Sequence, residues 1–173
     1  AEHGPDSQAI CVCSSTETAA AVRDAVELLK KRLSRTDSIE KSLSHSRIIV
    51  LPSTDDMISF VNGYGPEHLI ISMHSPWEVA ARITAAGSVF IGNYSPESAG
   101  DYASGTNHTL PTNGWAHSFS GVNIDSFMRK ITYQQLTPAG LTSLEPAIVA
   151  MARAEGLDAH ALAAEIRITD QPE

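Results

Sequence analysis

The stretch HLIISMHSPWEVAARITAAGSVFIG, residues 68–92, decides the fold class. It opens on an apolar run, His68 to Met73, short enough for a buried strand. Ser75 and Pro76 then mark a helix start, because proline suits the first helical turn. Val79, Ile83 and Ala86 fall on one face of the predicted helix, and Ser88 to Gly92 is a second apolar run. Strand, helix, strand within so few residues implies a βαβ unit and parallel pairing.

The same alternation extends towards the N-terminus. Gln8 to Ser14 (QAICVCS) and Arg47 to Leu51 (RIIVL) are predicted strands. Between them Ser15 or Thr16 caps a helix with Glu17 in its first turn, where the helix dipole favours an acid. Val22, Val26, Leu29 and Leu33 give that helix an apolar stripe ending in the basic run Lys30-Lys31-Arg32, and a second helical stretch covers about Asp37 to Ser44. Ser53 caps a third helix through Met57, Phe60 and Val61. The expected architecture over residues 1–121 is a Rossmann-like parallel sheet with flanking helices.

Past Gly92 the texture changes. Residues 93–121 are rich in Gly, Ser, Asn, Thr and Pro, and a long irregular stretch in a compact domain is usually functional. From Thr137 the 3.6-residue spacing returns with Leu141, Leu144, Ile148, Met151 and Ala152. Gly156 is a plausible stop, and a last helix covers about Asp158 to Ile166 before a polar tail at 169–173. Residues 122–173 therefore read as a small helical C-terminal domain.

Composition narrows the function classes. The 173 residues carry a net charge of −8, which argues against nucleic-acid and anionic-membrane partners. No apolar run reaches the length of a membrane span. The start Ala1-Glu2-His3-Gly4-Pro5 lacks the basic and apolar segments of a signal peptide and also lacks an initiator methionine, so upstream residues are expected to be missing. Cys11 and Cys13, two apart on a predicted strand, suit reduced core thiols of a cytosolic protein better than a disulfide or a zinc site.

Four places hold candidate chemistry, and each has a plainer reading. His3 sits in a Gly/Pro turn between acids, suited to a metal or to a solvated terminus. Gly63-Tyr64-Gly65-Pro66-Glu67-His68 delivers an adjacent acid and base to a strand end, where α/β folds tend to place catalytic groups; the alternative is an ordinary loop. Asp101 and His108 share a glycine-rich loop and are good zinc-ligand types, or simply structural. Glu155 and His160 flank the break between the last two helices and otherwise read as exposed helix-end polars. His45, His74 and His117 stand in polar contexts that read as surface or loop. No G-x-G-x-x-G follows a strand and no P-loop is present, so no dinucleotide or triphosphate cradle is legible.

Taken together, AEHGPDSQ (1–8), NGYGPEHL (62–69), AGSVFIGNYSPESAGDYASGTNHTLPT (86–112) and AEGLDAH (154–160) resemble the C-terminal part of histidinol dehydrogenase, and the match covers nearly the whole chain. The resemblance implies a cytoplasmic homodimer that oxidises L-histidinol to L-histidine through L-histidinaldehyde with Zn2+ and NAD. It implies zinc ligands His3 and Asp101, with His160 from the other subunit, and a further Gln ligand that would precede Ala1. It implies Glu67 as the acid that activates water and His68 as general base. Substrate contacts would be His3, His68, Asp101, Glu155 and His160, with Glu155 reaching over from the partner subunit. Cofactor-binding residues are expected in the family's N-terminal half and none in this chain, which is thus expected to be an inactive fragment. His117 stands where Arg is often expected, which leaves its role open. Two other classes stay in view: a stand-alone imidazole- or metal-binding module, and a dimerisation fragment without metal or activity.

Overall fold

A computed structural model describes residues 1–169. The chain divides into two compact units, Ala1–Phe127 and a second beginning at Met128. Of the polar tail expected at 169–173, Thr169 closes the last helix and the remainder lies outside the described residues.

In the first unit, strands and helices alternate as β1 (Ile10–Cys13), α1 (Thr16–Leu29), α2 (Thr36–His45), β2 (Arg47–Val50), α3 (Thr54–Tyr64), β3 (His68–Ile71), α4 (Pro76–Ala80), β4 (Ser88–Ile91) and α5 (Glu97–Tyr102). β1 pairs in parallel with β2, Ile10 opposite Arg47, and β3 pairs in parallel with β4, His68 opposite Ser88. Among the described residues these are two separate two-stranded sheets, not one continuous sheet. Each pair is a strand–helix–strand crossover, the connection that parallel pairing requires. The protein is thus mixed α/β with small parallel sheets.

Local chemistry explains the boundaries. The Ser15 hydroxyl accepts from the Thr18 amide at 3.2 Å and starts α1; Ser53 accepts from the Asp56 amide at 3.4 Å and starts α3. The core of the unit comprises Cys13, Ile39, Ile58, Ile71, Ala85 and Phe90. Cys11 and Cys13 are both free thiols, and burial pushes the Cys11 thiol up, with Cys13 adding to the shift.

Two elements differ from their expected extents. The helix expected to run from Pro76 through Ala86 stops at Ala80. The side chain of Asn62 explains the stop: its amide donates to the Arg82 carbonyl at 3.0 Å, and its oxygen accepts from the Thr84 amide at 2.8 Å. Those backbone groups are thereby drawn onto α3. Conversely, the stretch expected to be irregular over 93–121 contains α5, a helix of six residues.

The second unit holds α6 (Pro138–Ala154) and α7 (Asp158–Thr169), which pack on each other. Thr137 caps α6 by accepting from the Gly140 amide at 3.1 Å. Gly156, at φ +74°, ends it: the Leu157 amide reaches back to the Ala152 carbonyl at 2.8 Å. That left-handed closure is open to glycine without a Cβ penalty. Buried Ala152, Ala161 and Ala164 allow close approach of the two helices, and Arg153 pairs with Glu165 at 2.6 Å. The stripe read along α6 is only partly covered, since Leu144 is 46% and Met151 66% exposed. No helix among the described residues is long and apolar enough to cross a membrane.

Candidate active site

The site starts from a turn. α3 ends at Gly65, a buried left-handed residue with φ +63° whose amide reaches back to the Val61 carbonyl at 2.9 Å. Pro66 and Glu67 follow, and His68 is the first residue of β3. Backbone bonds fasten this turn to the start of β4: the Gly87 amide donates to the Pro66 carbonyl and the Ser88 amide to the Glu67 carbonyl, each at 2.9 Å. Gly87 leaves room for that approach, because a Cβ there would stand 2.5 Å from the Glu67 oxygen.

The next strand aims the imidazole. Phe90 of β4 stacks on the His68 ring, centroids 6.0 Å apart. On Phe90 also rests α5, through Gly100, where a Cβ would meet the ring at 2.6 Å. One aromatic ring thereby sets the spacing between the histidine and the acids of α5. Glu97 and Asp101 lie four apart, on one face of that helix.

The resulting cluster is compact. His68 Nε2 is 3.6 Å from Glu97 Oε1 and 3.9 Å from Asp101 Oδ1, while His68 Nδ1 is 4.0 Å from Glu67 Oε1. Nε2 is buried without a hydrogen-bond partner. Burial, foremost, and then a hydrogen bond and like charge from Asp101 push the Glu97 carboxyl above its usual 4.5, against smaller opposing effects of His68 and His3. The ligand-type atoms of His68, Glu97 and Asp101 all lie within 4.8 Å of one another, a spacing that suits a cation.

The N-terminal segment is held near this cluster by side chains distant in sequence. The Ser7 carbonyl accepts from the wholly buried Ser42 hydroxyl at 2.7 Å and from His45 Nε2 at 2.9 Å. The Tyr64 hydroxyl donates to Gln8 Oε1 at 2.8 Å, linking the His3 segment to the end of α3. His3 itself is exposed. His45, read as a surface residue, is instead half-buried and anchors this segment.

Glu67, His68 and Asp101 are thus drawn together, and Glu97, which sequence reasoning missed, joins them. The spacing of Glu97 and Asp101 was the available signal, legible only once residues 97–102 are known to be helical. His108 does not enter the cluster. Glu155 follows α6 as its C-terminal cap, and His160 lies in the first turn of α7, both exposed and both in the second unit.

A family profile described as histidinol dehydrogenase matches residues 1–168. This chain belongs to the histidinol dehydrogenase family. It is 51% identical over 170 residues to the histidinol dehydrogenase of Bacteroides fragilis, covering 98% of this chain and 40% of that protein. It is 51% identical over 168 residues to that of Aliivibrio fischeri, covering 97% of this chain and 38% of the relative. The crystal structure of histidinol dehydrogenase from Elizabethkingia anophelis superposes with a TM-score of 0.89 at 47% identity, covering 98% of this chain and 39% of that one. The chain therefore spans about 40% of the length of the histidinol dehydrogenases it matches.

Proposed function

We propose that this chain is the C-terminal part of an L-histidinol dehydrogenase, a zinc-dependent, NAD-linked oxidoreductase of histidine biosynthesis. The observation that carries the reading is the convergence of Glu67, His68, Glu97 and Asp101 at one strand end, in a chain of this family. The reaction removes four electrons. NAD would supply the hydride acceptor for both oxidations, first of the alcohol to L-histidinaldehyde with loss of the hydroxyl proton, then of the aldehyde hydrate, formed by addition of water, to L-histidine. His68 suits the base that takes the hydroxyl proton, and Glu67, beside it, suits the group that polarises the water.

Zinc fits the residue types gathered here, carboxylates beside imidazole. The resemblance assigns zinc to His3, Asp101 and His160 of the partner subunit, whereas the geometric cluster comprises His68, Glu97 and Asp101. Asp101 is common to both. In our reading His3 and Asp101 hold the ion, which leaves His68 for proton transfer. When bound, zinc would tether the substrate and lower the entropic cost of orienting it. Glu155 and His160 would contact substrate from the partner's side of a homodimer. Residues 1–121 would then form the second half of a Rossmann-like domain and 122–173 a dimer-exchanged helical domain, in a cytoplasmic enzyme whose NAD contacts lie outside this chain.

The test is an assay of the full-length protein with zinc, NAD and L-histidinol. Two NADH are expected per histidine formed. No NADH above the substrate-free rate would overturn the reading.

A further inference from the structure

We propose that His117 is a positioning residue for the Glu67–His68 pair, capping the C-terminal end of α3 from a turn 54 residues beyond Gly63. The inference rests on the roles just proposed for Glu67 and His68.

The last carbonyls of a helix lack partners within it, and a cationic or N–H-donating side chain there is favoured by the helix dipole. The last turn of α3 contains no basic residue of its own. His117 supplies the donor, its Nε2 lying 3.3 Å from the Gly63 carbonyl oxygen. The ring also rests on Gly65: a Cβ there would stand 2.9 Å from His117 Nε2 and 3.3 Å from the Gly114 oxygen. His117 is delivered by a tight turn in which the Trp115 amide bonds to the Thr112 carbonyl and the His117 amide to the Gly114 carbonyl, with Gly114 at φ +76°.

The Gly63–Glu67 turn is thus held from two sides. On the β4 side the grip is backbone to backbone, at Pro66 and Glu67. On the other side the His117 side chain holds Gly63 and rests on Gly65, beside the bond from Tyr64 to Gln8. Gly65 is three residues from His68, so a turn that shifts at Gly65 carries the acid and base with it. His117 touches neither reacting group and acts only by holding the segment that aims them.

The experiment compares His117→Ala and His117→Arg in the full-length zinc-loaded protein, by hydrogen exchange over residues 60–70 and by steady-state kinetics. Arg keeps an N–H donor at this position and suits a helix C-terminus. In His117→Ala, amide exchange of the turn should quicken about two- to fivefold, the scale of one helix-end interaction. In the same variant kcat should fall while KM for histidinol stays within about twofold, because a transition-state alignment is lost and not ground-state binding. His117→Arg should restore both. Unchanged exchange in His117→Ala overturns the clamp. Faster exchange with unchanged kcat overturns the positioning role, as does loss that Arg fails to restore. If the unmutated protein does not oxidise histidinol, the functional reading fails, while the exchange data still decide whether the clamp exists.

Discussion

Gly100 lies so close to the Phe90 ring that a Cβ at residue 100 would stand 2.6 Å from Phe90 Cε1. Because Phe90 also stacks on His68, this contact sets the distance from the imidazole to the acids of α5. Gly100→Ala should therefore push α5 away and separate Asp101 from His68. A displacement near 1 Å at a reacting centre can cost about 10²-fold in rate. The check is kcat/KM of the full-length variant beside its melting temperature. Activity equal to the unmutated protein would show that the contact does not govern the site.

Glu67 and His68 should separate the two oxidation steps. His68→Asn is expected to abolish oxidation of histidinol, and Glu67→Gln to slow chiefly the oxidation of histidinaldehyde, where water is consumed. Loss of a general acid–base group typically costs about 10²–10⁴-fold. Feeding each variant the alcohol and then the aldehyde, and following NADH, tests this. Wild-type aldehyde oxidation by Glu67→Gln would remove Glu67 from the water step.

Glu97 predicts a pH signature. Its carboxyl lies above the usual 4.5 in the folded protein, mainly through burial and then Asp101. The folded state therefore holds its proton to higher pH than the unfolded chain does. Below the unfolded value both states are protonated and the shift costs nothing. As pH rises past the unfolded value the unfolded chain ionises first, so a destabilising contribution builds up and is complete once pH passes the folded value. Glu97→Gln removes that contribution, so with metal chelated its melting temperature should exceed the parent's at pH 7 and approach it near pH 4. Equal differences at both pH values would show that Glu97 is not perturbed.

Ser42→Ala should loosen the His3 segment. The Ser42 hydroxyl is wholly buried and donates to the Ser7 carbonyl at 2.7 Å, which keeps only His45 as donor after the substitution. A stability loss of about 1 kcal/mol is expected for one such bond. Urea unfolding reads the loss, and faster amide exchange over residues 3–9 would place it. An unchanged midpoint would show that His45 alone suffices.

What could be read from residue order is what near neighbours dictate. Ser15, Ser53 and Thr137 each cap a helix through an amide three residues on, and Gly156 ends α6 by taking a left-handed conformation. Apolar runs at Ile10–Cys13, Arg47–Val50, His68–Ile71 and Ser88–Ile91 became strands, and alternation with helices implied their parallel pairing. The motifs that carry the resemblance pointed to Glu67, His68 and Asp101 as site residues. Tertiary structure decided the rest, because the deciding bonds join residues far apart in the chain. Asn62 stops α4 by bonding Arg82 and Thr84, a competition invisible in the helix's own periodicity. Ser42 and His45 anchor Ser7 across 35 and 38 residues, so polar side chains that look solvated in sequence are structural. Glu97 reaches His68 only because residues 97–102 form a short helix against Phe90. Six residues are too few to hold a helix by propensity in water, so that turn of structure, and with it the fourth member of the site, depends on packing against β4.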